Sequence, residues 1–302
     1  MDNFKQIAIV APTASGKTGL SIELAQQTNS IILSLDSLSV YKEIDISSAK
    51  PTLIERAGIK HFGIDEVYVD EPFDVMEFIA CYNNAKDYAI RNNQNLIIVG
   101  GSGFYLKAMI DGLSPSVTPS NETNIWVKNK LIDLSNAYKL LEKIDNTYAI
   151  NIKSNDKYRI EKALTIYKQS GLSPSEFFKQ NPKKKIIDHI DIFEIIWDTD
   201  KLRDRIALRT KQMLKQGIID EVIYLEKKYT RKPKAMGSIG IVETLAYLDS
   251  KITKNELEEK IFTNTARLAK KQRTFNRSQF QGQTKNTLDK LKDEILKKFL
   301  KS

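Results

Sequence analysis

Short apolar runs alternate with polar stretches of helical spacing along the first hundred residues. Residues 6–10 (QIAIV), 31–35 (IILSL) and 95–99 (NLIIV) are nearly unbroken apolar runs, the pattern of strands buried on both faces. Residues 17–28 and 75–92 lie between them with helix-type patterning. Strands alternating with helices predict a parallel sheet covered on both sides. The texture changes near 111–120, where two prolines and several turn formers mark a boundary. From about 121 to 180 the chain is polar and helical, and NPKKK (181–185) reads as a return linker. Residues 190–197 (IDIFEIIW) predict a further strand, and 201–227 and 255–280 predict helices. No internal repeat is visible. The expected organisation is an α/β core, residues 1–115 and 186–302, interrupted by a small all-helical insertion at 116–185.

The first strand runs directly into Ala11-Pro12-Thr13-Ala14-Ser15-Gly16-Lys17-Thr18. This is the P-loop pattern G-x-x-x-x-G-K-[ST] with Ala11 in place of the first glycine. A strand before it and a helix after it supply the context that phosphate binding needs. Backbone N–H groups point at the anion and the helix N-terminus adds partial positive charge. Lys17 neutralises phosphate oxygens, and the Thr18 hydroxyl can ligate Mg²⁺. The expected fold is therefore a P-loop NTPase-like parallel sheet flanked by helices. NTP-hydrolysing relatives of this loop usually end a second apolar strand in a Mg²⁺-binding carboxylate. Here NLIIV ends in Gly100-Gly101-Ser102-Gly103, which suits further anion contacts with the Ser102 hydroxyl as a donor. Asp36 ends the strand at 31–35, on the sheet edge where α/β proteins gather ligands. It reads either as a turn or cap residue or as an acid that takes a proton from an attacking amine.

Composition narrows the class. Hydrophobic residues make up 41% and charged residues 28%, which is globular and not disordered. No stretch reaches the ~18 apolar residues of a membrane span. The apolar run after Met1 leads into the loop motif, so it reads as a strand and not as a leader. The single cysteine, Cys81, excludes an intramolecular disulfide, fits a cytoplasmic setting and reads as a small core residue. His61 and His189 show no metal-ligand spacing. Charge is unevenly placed. Residues 1–200 hold 22 Lys+Arg against 26 Asp+Glu, a net of −4, and residues 201–302 hold 25 against 12, a net of +13. A basic final third suits a polyanion such as nucleic acid, or else a set of solvated Lys-rich helix faces.

Ordered blocks from about residue 7 to 280 resemble the tRNA dimethylallyltransferase (tRNA isopentenyltransferase) family. Its G-P-T-A-S-G-K appears as Ala11 to Lys17, and its D-S-x-Q-V-Y-R-G-x-D-I-G-T-A-K-P-T as Asp36 to Thr52. H-H-L-I-D appears as His61 to Asp65, and V-G-G-T-G-x-Y as Val99 to Tyr105. D-x-x-R-x-x-R-A-L appears as Asp156 to Leu164, R-I-x-x-R as Arg205 to Arg209, and T-R-Q-L-A-K-R-Q as Thr265 to Gln272. The chain departs from the pattern at Ser39 for Gln, Phe62 for His, Ser102 for Thr, Lys162 for Arg and Ala266 for Arg.

The resemblance implies transfer of a dimethylallyl group from dimethylallyl diphosphate to N6 of the adenosine 3′ of the anticodon, with diphosphate leaving. It implies Asp36, Lys17 and Ser102 as catalytic residues. The loop residues 11–18, Arg205 and Arg209 would hold the diphosphate, with Mg²⁺ at Thr18. Asp36, Ser37, Leu38, Ser39 and Ser102 would face the tRNA, together with Lys128 and Arg159 in the insertion and Lys270 and Lys271 in the last long helix. Tyr41 and Tyr105 read as core or as channel walls. The expected partners are the anticodon stem-loop of tRNA and dimethylallyl diphosphate, with no membrane and a monomeric enzyme. Three other readings stay open: a P-loop kinase or NTPase with Asp36 on Mg²⁺, a non-catalytic RNA-binding protein, and the adenylate-prenylating branch of the same family.

Overall fold

The computed structural model describes residues 4–115 and 117–300. The chain starts with strand β1 (Gln6–Val10), helix α1 (Lys17–Gln27), β2 (Ser30–Leu35), β3 (His61–Phe62), α2 (Val75–Arg91), β4 (Asn95–Gly100) and α3 (Gly103–Asp111). A run of helices follows: α4 (Asn121–Lys130), α5 (Leu134–Ile144), α6 (Asn146–Ala149), α7 (Lys157–Ser170) and α8 (Pro174–Gln180). Then come β5 (Asp191–Ile195), α9 (Thr199–Gln216), α10 (Ile218–Tyr229), α11 (Ile241–Leu248), α12 (Lys254–Gln279), β6 (Thr284–Asn286) and α13 (Leu288–Leu300).

The six strands form one sheet in the order β3-β2-β4-β1-β5-β6, with neighbouring strands parallel throughout. Parallel strands bury both faces, which is why β1, β2 and β4 are nearly unbroken apolar runs. One face packs Ile7, Ile9, Ile32, Ile97 and Val99 against Leu20 and Leu24 of α1 and Leu291, Ile295 and Phe299 of α13. Each such fully buried side chain contributes roughly 1.5–3 kcal/mol. A second cluster joins Val40, Tyr41 and Ile44 to Met213, Ile218, Val222 and Leu225 of α9 and α10 and to Ile241, Leu257 and Ile261. Tyr41 is buried there, and Tyr105 is buried and stacked on Phe78 at 4.5 Å, so both belong to the core. Cys81 is a buried core residue too, and burial beside Glu66 pushes its thiol up to about 12.

The chain divides into two compact units, Met109–Ile187 and the remainder. The inserted unit therefore begins seven residues before the expected 116 and ends two after 185. The reason is backbone pairing: Ile186 and Ile187 donate N–H to the Met109 carbonyl, and Leu113 bridges Lys184. This unit has its own core of Val127, Ala137, Leu141, Ala149, Ile160, Ala163 and Leu164. Its helices start at side-chain caps, Ser120, Asp133, Asp145, Asp156 and Ser173, which supply acceptors for orphan N–H groups.

Three differences from the sequence expectations concern the strands at the sheet edges and the second half of the chain. Residues 201–227 form two helices, because Gly217 takes φ +98° and closes α9 before α10 begins. β3 and β6 add edges of two and three residues to the sheet. A last helix, α13, covers the sheet with a face that the charged sequence LDKLKDEILKKF hides. Among the described residues no helix is long and apolar enough to cross a membrane.

Candidate active site

Three neighbouring parallel strands, β2, β4 and β1, end on one edge of the sheet, and each hands over to a loop carrying polar side chains. After β1 comes the loop 11–18, after β2 comes Asp36, and after β4 comes Ser102. Ala11 N–H still pairs with the Gly100 carbonyl at 3.2 Å, and Ser102 N–H pairs with the Leu35 carbonyl at 3.0 Å. These two bonds carry the ladder past the strands and bring the three loops together.

Ala11 is fully buried and stays out of the left-handed region, so the missing first glycine costs nothing here. The loop turns at Ala14 (φ 62°) and Gly16 (φ 84°) and leads into α1 at Lys17. Side chains from distant elements brace its backbone. Gln272 Oε1 accepts the Thr13 N–H at 3.0 Å, Arg205 Nε donates to the Ala14 carbonyl at 2.7 Å, and Trp197 Nε1 donates to the Ser15 carbonyl at 2.9 Å. The Arg205 guanidinium also lies 4.8 Å from the Trp197 ring. Gly101 leaves room for the Gln272 amide, since a Cβ there would sit 2.3 Å from Gln272 Nε2.

A cavity of about 300 Å³ opens above the loop, lined among others by Thr13, Lys17, Asp36, Ser102 and Arg209. A smaller cleft of about 60 Å³ adjoins it and adds Thr18, Ser34, Ser39 and Lys50. Burial, together with the Arg209 charge, lowers the Lys17 pKa to about 8, while Asp36 pulls it upward. Arg209 is likewise lowered by burial and supported by Asp36. Two desolvated cations thus converge where one carboxylate offsets them, an arrangement that awaits an anion.

Asp36 combines the turn role and the site role. Its Oδ1 accepts the N–H groups of Leu38 at 2.9 Å and Ser39 at 3.3 Å, forming the turn, and the residue also lines the cavity. Ser37 is exposed and Leu38 half-buried, and both line the cavity. Ser39 is buried, and its hydroxyl is taken up by Ser34 Oγ, the Asp36 carbonyl and the Gly63 carbonyl, so it acts in the framework of the turn. Of the two arginines in the 205–209 block, Arg209 lines the cavity, and Arg205 is a brace of the loop. Pro12 and Ser15 are buried within the loop, and the Lys17 ammonium lies 3.4 Å from the Pro12 carbonyl. Thr18 is exposed in the first turn of α1.

Lys270 and Lys271 are exposed on α12. Lys270 also lines a separate cavity of about 690 Å³ with Arg203, Arg267, Arg273 and Arg277. In the inserted unit Lys128 is exposed on α4, and Arg159 is exposed on α7 and paired with Asp156 at 3.3 Å. Gln272, Trp197, Ser47 and Ser48 had no role legible in the sequence, although Gln272 closes the last of the family blocks. Ser47 and Ser48 line the cavity, and Arg209 donates to the Ser48 carbonyl at 3.4 Å.

Fold and cavity together define a P-loop-type α/β protein with a cation-lined cavity at the carboxyl edge of its sheet. A model of the family described as IPP transferase matches residues 39–279. The tRNA dimethylallyltransferase of Aliarcobacter butzleri is 58% identical over 295 residues, covering 98% of this chain and 99% of its own. The full-length tRNA isopentenylpyrophosphate transferase of Bacillus halodurans has a crystal structure that matches with a TM-score of 0.71 at 29% identity, covering 97% of this chain and 94% of that one. A eukaryotic dimethylallyltransferase, solved in crystallographic snapshots acting on tRNA, matches with a TM-score of 0.80 at 27% identity, covering 90% and 70%. The chain belongs to the IPP transferase family.

Proposed function

We propose that this protein is a tRNA dimethylallyltransferase, moving the dimethylallyl group of dimethylallyl diphosphate to N6 of the adenosine 3′ of the anticodon and releasing diphosphate. The observation that carries this reading is the shared cavity of Lys17, Arg209, Asp36 and Ser102 above the loop. Relatives matched over nearly the whole chain carry the same activity in their names.

In the reaction the N6 lone pair forms a bond to C1 of the allyl group as the C1–O bond breaks. The electron pair leaves on diphosphate, and the N6 proton passes to Asp36. Charge develops on the leaving oxygens, where Lys17, Arg209 and the loop amides stabilise it. An incoming diphosphate also favours the charged form of Lys17, offsetting its burial. Ser102 is placed to donate a hydrogen bond in the same cavity. An exocyclic amine is a poor nucleophile, so holding it against C1 supplies much of the rate.

Thr18 and Asp36 line one cleft and offer a hydroxyl and a carboxylate oxygen, and these fit Mg²⁺, which takes few protein ligands and completes its shell with phosphates and water. Thr18 would hold it, and the bound ion would add charge stabilisation to the leaving group. The adenine must leave its stack to reach the cavity, which single-stranded anticodon loops permit. Lys270 and Lys271 on α12, and Lys128 and Arg159 in the inserted unit, are exposed cations for backbone phosphates. A cytoplasmic monomer fits this role.

Incubation with labelled dimethylallyl diphosphate, Mg²⁺ and tRNA should give labelled N6-dimethylallyladenosine after digestion. Label appearing in AMP and not in tRNA would move the acceptor to a free nucleotide. No prenylated adenosine from either acceptor would overturn the reading.

A further inference from the structure

The segment from Glu43 to Ala49 brings Ser47 and Ser48 to the cavity, and its conformation is imposed from outside. Glu43 (φ 68°) and Ala49 (φ 47°), at its two ends, both sit in the left-handed region that a side chain disfavours. Such a conformation persists where its surroundings over-determine it. Helix α10 provides those surroundings. The Glu43 carboxylate accepts hydrogen bonds from Tyr224, Lys228 and Tyr229. Glu221, one turn into the same helix, accepts three successive backbone N–H groups: Asp45 at 2.8 Å and Ile46 at 2.6 Å on Oε2, and Ser47 at 2.9 Å on Oε1.

Three charge-assisted bonds to one carboxylate fix the direction of this stretch of backbone. What it presents to the cavity is the Ser48 carbonyl, which accepts from Arg209, and the buried Ser47, whose hydroxyl finds no partner among the described residues. Arg209 shares the cavity with Lys17 and Asp36, whose charges it feels. The Ser48 carbonyl that accepts from Arg209 directly follows the three residues that Glu221 holds.

We propose that Glu221 is a positioning residue: by clamping the N–H groups of residues 45–47 it sets the Ser48 carbonyl that aims Arg209 at the diphosphate. This rests on the cavity being the diphosphate site. An acidic residue in the first turn of α10 also complements the helix dipole, so loss of stability alone decides nothing. Coupling to Arg209 does. Glu221→Gln keeps the volume and one acceptor oxygen, but places an amide NH₂ against one end of the clamp.

The test is calorimetric titration of Mg²⁺–pyrophosphate into the full-length wild type, Glu221→Ala, Glu221→Gln, Arg209→Ala and the two double variants. Lys17 and the loop amides keep binding measurable without Arg209. Glu221→Ala should weaken binding about tenfold and Glu221→Gln by less, and neither should weaken it further when Arg209 is already alanine. Should Glu221→Ala fail to fold, the Glu221→Gln cycle carries the same comparison. Unchanged affinity in the single variants, or the same loss in the Arg209→Ala background, overturns the assignment. A wild type that binds pyrophosphate with this coupling but prenylates no tRNA would sink the proposed activity and leave Glu221's role standing.

Discussion

At Lys17, burial and the neighbouring Arg209 guanidinium hold the pKa near 8, against the pull of Asp36. The ammonium is the form that binds phosphate, so diphosphate affinity should hold below pH 8 and fall as pH rises through it. Lys17→Met should be weak and flat over the same range, measured by pyrophosphate titration. The stability effect has the opposite sign. The folded pKa lies below the unfolded value of 10.5, so the burial cost is present below pH 8 and is relieved between 8 and 10.5. Thermal unfolding of the wild type should gain relative to Lys17→Met across that window. At Asp36 two roles share one side chain, and a single substitution separates them. Asparagine keeps an oxygen for the Leu38 and Ser39 N–H groups but is not a proton acceptor. Asp36→Asn should retain the turn and tRNA binding and lose prenyl transfer by about 10²–10⁴-fold, read from single-turnover label transfer.

Helix α12 serves two ends at once. Thr265, Leu268 and Gln272 face the cavity, with Gln272 bonded to the loop at Thr13, while Lys270 and Lys271 are exposed. Exposed lysines that meet phosphates act uniformly and through counterion release. Replacing Lys270 and Lys271 together by alanine should weaken tRNA binding at low salt. It should also flatten the slope of log affinity against log salt by about one for each phosphate left without its cation. Pyrophosphate binding should stay unchanged, and a loss there would place the two lysines in the cavity instead. At this scale the sequence was most readable where an element is long and apolar. β1, β2, β4, α1, α2 and α12 fall within about two residues of the pattern. It was least readable where an element is short or takes its character from a neighbour. β3 and β6 have too few residues to show a period, and Gly217 sits in a stretch whose helical pattern continues across it.

Over the whole molecule the six parallel strands place the loop 11–18, Asp36 and Ser102 side by side, though 25 and 66 residues separate Asp36 from Ala11 and Ser102. The inserted unit has its own core and its own capped helices. The strongly basic final third supplies α9 and α12. One of its arginines, Arg209, is buried in the cavity, while Lys270 and Lys271 are exposed.

The chain's order of residues determined the phosphate loop, the alternating strands and helices, and the family blocks, because each of these rests on chemistry within a few consecutive positions. Tertiary structure decided how the loop is held and which candidates reach the cavity. Trp197, Arg205 and Gln272 brace the loop across 182, 191 and 259 positions of sequence, and Glu221 clamps residues 45–47 across about 175. Ser39 and Arg205, which read as ligand-binding residues, also hold backbone carbonyls of the turn and the loop. A hydrogen bond between distant segments leaves no periodic trace along the chain, so only the packed sheet and its helices reveal it.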